Sequence, residues 1–329
     1  MQRREDAVAR SLLCGTIFAL AIATAAKGQE KTPPGESATT LKVSTDVVNV
    51  LAIVKDKRGR LIPDLNREDF KLTEDGTPQE IRYFSRETDT PLTLGILIDT
   101  SGSEQRLLPV EQEEAKAFIR QVIRPKDLAF VIHFDIFVEL LQDLTTDAAR
   151  LERAIDAAEI NTGGGGLTPG PLPGASVGGT HLYDAVYLGA HDMLKNEIGR
   201  KVLVVLSDGM DQGSKVSIGE ALEAAQKADV IIYSLAVIDN RYAGGYGTED
   251  GFANLKKLSE QTGGTVIHAG RKDLGEAFQE IANELRTQYL LGYSSANTKR
   301  DGSFRKIRVD VRDNRVKVQA RRGYYAPGE

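Results

Sequence analysis

Asp99, Ser101 and Ser103 occupy alternate positions in the run Asp99-Thr100-Ser101-Gly102-Ser103, directly after the apolar stretch Leu94-Gly95-Ile96-Leu97-Ile98. A carboxylate and hydroxyls gathered at the end of a buried strand are hard oxygen donors. They suit Mg²⁺, Mn²⁺ or Ca²⁺ and do not suit zinc, because thiolate and imidazole donors are missing. With a single anion in that run, a bound ion keeps net positive charge and an unfilled coordination position. The site is then expected to seek an acidic group from outside. Two more segments supply further oxygens. Gly178-Gly179-Thr180 opens a helix-like stretch with Leu182, Val186, Leu188 and Met193 on its apolar side, and Val202-Leu203-Val204-Val205-Leu206 runs into Ser207-Asp208-Gly209. Each segment alone reads equally well as a turn or helix cap, positions that Asp, Ser, Thr and Gly favour. Three such segments at strand ends in one αβ pattern point to a common site.

In this order the residues resemble the von Willebrand factor type A (vWA) family, whose metal-ion-dependent adhesion site reads Asp-x-Ser-x-Ser, then Thr, then Asp, on three loops. The resemblance covers residues 93–287 and all five positions. It implies that Ser101 and Ser103 bind the metal directly, and that Asp99, Thr180 and Asp208 do so directly or through water. It also implies a Mg²⁺-type ion that captures a Glu or Asp carboxylate of a partner protein.

The elements that must position these residues can be read from hydrophobic periodicity. Strands are expected near 94–99, 128–134, 201–207, 230–237 and 264–268, with an antiparallel extra strand near 136–141. Amphipathic helices are expected near 110–122, 147–159, 181–195, 217–228, 250–262 and 272–286. Near-continuous apolar strands separated by helices mean an α/β, doubly wound, mostly parallel sheet, Rossmann-like as in vWA domains. Ligands of such sheets bind beyond the carboxyl ends of the strands. On either side the chain is β-rich. Residues 41–92 and 288–329 read as short strands, including a hairpin of Phe70-Lys71-Leu72 with Ile81-Arg82-Tyr83-Phe84 around Glu74-Asp75-Gly76. The two β segments are expected to form one β-sandwich-like domain in which the vWA domain is inserted, with two separate β modules as the alternative.

Residues 1–26 carry Arg3, Arg4 and Arg10 around the apolar run from Leu12 to Ala26, with Ala23-Thr24-Ala25 as an A-x-A cleavage site, the pattern of a signal peptide. The only cysteine, Cys14, falls inside that run, so the mature chain has no disulfide, thiolate metal site or cysteine nucleophile. The expected destination is the periplasm or the extracellular space of a bacterial envelope, with no membrane span in the mature chain. Residues 27–40 are polar and rich in Pro, Gly, Ser and Thr, as in a disordered linker. The glycine-rich run 162–179 reads as a flap beside the metal or as a disordered insertion, and 240–250, with Tyr242 and Tyr246, as an adaptable binding surface or a loop tip.

Composition narrows the function classes. The 329 residues are 41% hydrophobic and 27% charged, as in a globular protein, and the net charge of -5 gives no basic field for nucleic acid. Gly174-Ala175-Ser176-Val177-Gly178 matches G-x-S-x-G but follows no apolar strand. His133, His181, His191 and His268 lack zinc spacing, and no phosphate-binding glycine loop is present. The chain therefore reads as a metal-dependent binding module and not as an enzyme. An envelope assembly protein and a metal-dependent hydrolase are the alternatives.

Overall fold

The computed structural model describes residues 47–87, 90–160, 179–237, 248–270 and 273–328. The expected signal peptide, the linker and nearly all of the two glycine-rich loops lie outside these residues. The chain opens with four strands, β1 (Val47–Asp56), β2 (Phe70–Glu74), β3 (Thr77–Gln79) and β4 (Ile81–Glu87). An αβ alternation follows: β5 (Leu92–Asp99), α1 (Leu108–Val122), β6 (Leu128–Phe134), β7 (Val138–Thr145), α2 (Ala148–Asp156), α3 (Leu182–Tyr187), β8 (Arg200–Ser207), α4 (Ile218–Lys227), β9 (Val230–Val237), α5 (Thr248–Thr262), β10 (Val266–Ala269) and α6 (Leu274–Leu285). Four strands end it, β11 (Gln288–Ser294), β12 (Phe304–Val311), β13 (Val316–Ala320) and β14 (Gly323–Tyr325).

β5 and β9 are buried along their whole length, so both faces of their sheet must be covered. The sheet runs β10-β9-β8-β5-β6-β7, parallel except for β7. Side chains alternate across it. Leu94, Ile96 and Ile98 pack with α1, α2 and α6, while Leu97, Leu203 and Val205 pack with α3, α4 and α5. α3 is shorter than expected because the chain widens into a π-helix over Leu188–Leu194, where Gly189 lies against Leu203. Among the described residues no helix is long and apolar enough to cross a membrane.

The flanking strands form two four-stranded sheets, β13-β1-β11-β4 and β14-β12-β2-β3, each drawing on both ends of the chain. Val50, Ala52, Leu72, Tyr289, Leu291 and Ile307 are among the side chains of their common core. The expected hairpin is corrected. Leu72 pairs with Gln79 and Glu74 with Thr77, because Asp75 and Gly76 both take left-handed φ (47° and 82°), the two-residue turn that suits strand twist. Ile81 and Phe84 belong to the other sheet, where β4 pairs with β11.

A buried ion pair within the second of these sheets is tied to the first by the Tyr293 hydroxyl of β11. Glu74 accepts from Tyr293 Oη at 2.7 Å, Tyr324 Oη at 3.0 Å and Ser295 Oγ at 2.5 Å, and lies 3.7 Å from the Arg305 guanidinium. Removing one partner of such a pair strands the other charge, at a cost of about 3–5 kcal/mol. Glu74→Ala is therefore expected to lower the free energy of unfolding by about 3 kcal/mol in a denaturant melt, with the metal-site properties described below unchanged.

Candidate metal centre

β5 and β8 are neighbours, yet their onward connections diverge, from β5 through α1 to β6 and from β8 through α4 to β9 on the other side. A crevice opens beyond the strand ends at such a switch point. Asp99 ends β5 and Asp208 directly follows β8, and the pairing of Ile98 with Leu206 sets them side by side.

Asp99 is fully buried. Its Oδ1 accepts the Ser101 amide at 2.9 Å and its Oδ2 accepts Ser207 Oγ at 2.6 Å. The Ser101 and Ser103 hydroxyls stand 3.0 Å apart, with Ser101 buried and Ser103 exposed. Asp208 Oδ1 accepts the Met210 amide at 2.9 Å, which leaves its other oxygen for the crevice. Gly209 turns the chain here at φ 83°, and a Cβ on it would stand 2.1 Å from the Gly251 carbonyl of α5. Only glycine allows this loop to approach α5 so closely.

Thr180 reaches the same edge through its backbone. It exchanges hydrogen bonds with Gln212 at 3.2 and 2.8 Å, and the next amide, His181 N, donates to Asp135 O at 2.7 Å. Its side chain makes no hydrogen bond with Asp99, Ser101, Ser103 or Asp208 among the described residues. The structure thus gathers Asp99, Ser101, Ser103 and Asp208 in one cluster and sets Thr180 on the adjoining loop.

The expectation of a single anion in the first loop is overturned. The turn Gly102–Glu104 directs a second carboxylate inward, and oxygens of Asp99, Glu104 and Asp208 lie within 4.8 Å of one another. Glu104 is 1% exposed, and Glu111 of α1, beside it, is 0% exposed. Neither Glu104 Oε2 nor either Glu111 oxygen has a hydrogen-bond partner. Burial, and then the charge of Asp208, push the Asp99 carboxyl up to about 7. Burial raises Glu111 to about 8, opposed by the adjacent Glu104 carboxyl and reinforced by the charges of Asp99 and Asp208. Burial and the neighbouring Glu111 raise Glu104 well above the usual carboxylate range. One sequence signal pointed to this: Glu111 falls on the buried stripe of α1 with Leu108, Ala115 and Phe118. The other was Glu104 itself, the residue after Ser103.

The donor set is carboxylate and hydroxyl oxygen throughout, and orphaned buried oxygens of one sign call for a cation. The residues fit a hard divalent ion. A second string of polar groups lies nearby. Thr100 Oγ1 is 3.4 Å from His133 Nδ1, and His133 Nε2 is 2.9 Å from Glu139. Thr100 is fully buried and its hydroxyl donates to Phe134 O, so no substrate reaches it as a nucleophile.

The chain matches no protein-family model and no curated protein. Among solved structures it is similar in fold to vWA domains. Proximal thread matrix protein 1 from the mussel byssus has a TM-score of 0.49 and 13% identity, over 65% of this chain and 51% of that one, so the chain spans about half the length of that protein. Another structure of the mussel protein is described with a zinc-occupied MIDAS motif. The vWF domain of the type V pili tip protein Mfa5 from Porphyromonas gingivalis has a TM-score of 0.45 and 13% identity, over 59% of this chain and 94% of that one. A von Willebrand factor type A protein from Catenulispora acidiphila has a TM-score of 0.46 and 12% identity, over 79% and 74%.

Raised carboxyl pKa values mean that the metal-free folded state holds protons the unfolded chain has released. The cluster's contribution to stability is full below about pH 4 and is lost as pH rises through 7 and 8. Chelator-treated protein is expected to melt several degrees lower at about pH 8.5 than at about pH 5.5, with a smaller difference in Glu111→Gln. Scanning calorimetry at the two pH values checks this, and a midpoint independent of pH contradicts it.

Proposed function

We propose that this chain is a metal-dependent protein-binding module. Asp99, Ser101, Ser103, Thr180 and Asp208 hold one divalent cation, Mg²⁺ or else Mn²⁺ or Ca²⁺, and the ion takes up a Glu or Asp carboxylate of a partner protein. The observation that carries this reading is the convergence of buried, like-charged carboxylates with two hydroxyls at the switch point between β5 and β8. A bound ion supplies electrophilic attraction for an incoming carboxylate. The chain's own residues do the rest. Strand pairing fixes the spacing of Asp99 and Asp208, Ser207 orients the Asp99 carboxylate, and the backbone bridge of Thr180 to Gln212 holds the adjoining loop.

A single carboxylate contact orients a partner, while affinity comes from apolar anchors around it. Phe137, 66% exposed in the turn between β6 and β7, stands at the same edge of the sheet, since Phe134 O at the end of β6 receives the Thr100 amide. The organisation we infer is a vWA domain over 93–287 set into a β-sandwich-like domain of 41–92 and 288–329. Strands from both flanks in each of the two flanking sheets support it. The Arg-flanked apolar run over residues 1–26 supports export to the periplasm or beyond.

Calorimetric titration of Mg²⁺, Mn²⁺ and Ca²⁺ into chelator-stripped protein tests the reading. Wild type is expected to bind in the micromolar to millimolar range, and Asp208→Ala and Ser101→Ala to bind at least about tenfold more weakly. Equal binding by all three proteins would place the ion elsewhere.

A further inference from the structure

We propose that Glu104 is an internal ligand of this ion and occupies the coordination position that a partner's carboxylate takes. The inference rests on reading the cluster as a metal site, and it adds a residue outside the Asp-x-Ser-x-Ser, Thr, Asp pattern. Three observations lead to it. Glu104 contributes an oxygen within 4.8 Å of oxygens from both Asp99 and Asp208, so one point between them serves all three. Its Oε2 is buried without a hydrogen-bond partner, and the charges acting on the group, Glu111, Asp99 and Asp208, are all of its own sign. Its backbone is pinned, with Glu104 N donating to Ser101 O at 3.0 Å and Leu107 N donating to Glu104 O at 2.8 Å. The side chain is therefore held on the crevice side of a turn whose two serines already face the site.

Glu111 makes the arrangement directional. It is fully buried beside Glu104, both of its oxygens lack partners, and it is not among the converging ligand atoms. On α1 and packed beside Glu104, it is the second buried carboxyl of the pair, and only Glu104 reaches the point shared with Asp99 and Asp208. Three carboxylates outweigh the two charges of the cation, so the resting site has lost the electrophilic character that draws an outside acid. A partner's carboxylate must then displace Glu104, and capture becomes an exchange of one carboxylate for another. The wild-type chain is tuned for holding its ion firmly and for selecting partners whose surrounding contacts offset that displacement.

The test is a Mn²⁺ titration of chelator-stripped full-length protein, followed by calorimetry and water-proton relaxation, with sodium acetate added at saturating Mn²⁺ as the carboxylate probe. Glu104→Gln is expected to bind Mn²⁺ at least about tenfold more weakly than wild type. Once saturated, it shows higher relaxivity, because water fills the vacated position, and acetate quenches that excess at concentrations that leave wild type unchanged. Gln matches the size and shape of a carboxyl group, so metal-free Glu104→Gln melts no lower than wild type and misfolding does not mimic the result. Glu111→Gln changes an equally buried carboxyl group but no ligand, and its saturated relaxivity stays at the wild-type value. Unchanged Mn²⁺ affinity and relaxivity in Glu104→Gln would overturn the role of Glu104 and leave the metal site standing. Absence of Mn²⁺ binding by wild type would overturn the site itself.

Discussion

Carboxylates that share one water-poor crevice repel each other, and that repulsion is the constraint around which this molecule is arranged. Asp99, Glu104 and Asp208 bring oxygens within 4.8 Å of one another, and Glu111 lies buried behind them. Charge of one sign in a low-dielectric setting is stable only when protons or a cation compensate it. Protons do so at the expense of ionisation. A divalent cation does so while keeping every oxygen as a ligand, and the hydroxyls of Ser101 and Ser103 stand ready on the same turn.

The fold supplies the rigidity that such crowding demands. β5, β8 and β9 are anchored by parallel pairing on both sides and by helices on both faces, so the ends of β5 and β8 cannot move apart to relieve the repulsion. The flanking sheets brace the opposite side of the αβ layer. Lys55 of β1 pairs with Glu280 and Glu284 of α6, Arg200 at the start of β8 donates to Leu285 O and Gln288, and the Arg322 amide donates to Gln261 O. The crevice is thus held in place by the whole framework, while the chemistry stays in a few loop residues, the usual division between scaffold and site.

Much of this was legible in the chain. Leu94–Ile98 and Val202–Leu206 are apolar without alternation, and such runs have no stable place except between two layers of helices. Asp99, Ser101, Ser103 and Asp208 were legible because carboxylates and hydroxyls directly after those runs must emerge at one sheet edge. What escaped depended on three-dimensional depth. Glu104 follows an exposed serine and carries an ordinary surface residue type, and only the tight turn at Gly102–Glu104 shows that it points inward. The hairpin was misjudged because a two-residue Asp-Gly turn consumes Thr77–Gln79 as the partner strand and releases Ile81 to the other sheet. Gly323–Tyr325, too short to show a periodicity of its own, is a strand through its pairing with β12.

The most direct measurement is anomalous diffraction from crystals of the protein grown with Mn²⁺. A single anomalous peak bonded to the carboxylates of Asp99 and Asp208, at a distance of about 2.0–2.6 Å, would establish that a cation resolves the buried repulsion. Ordered density for these side chains with no anomalous peak, and with the carboxyl groups close enough to hydrogen-bond one another, would show that protons compensate the cluster and would contradict a metal-dependent site.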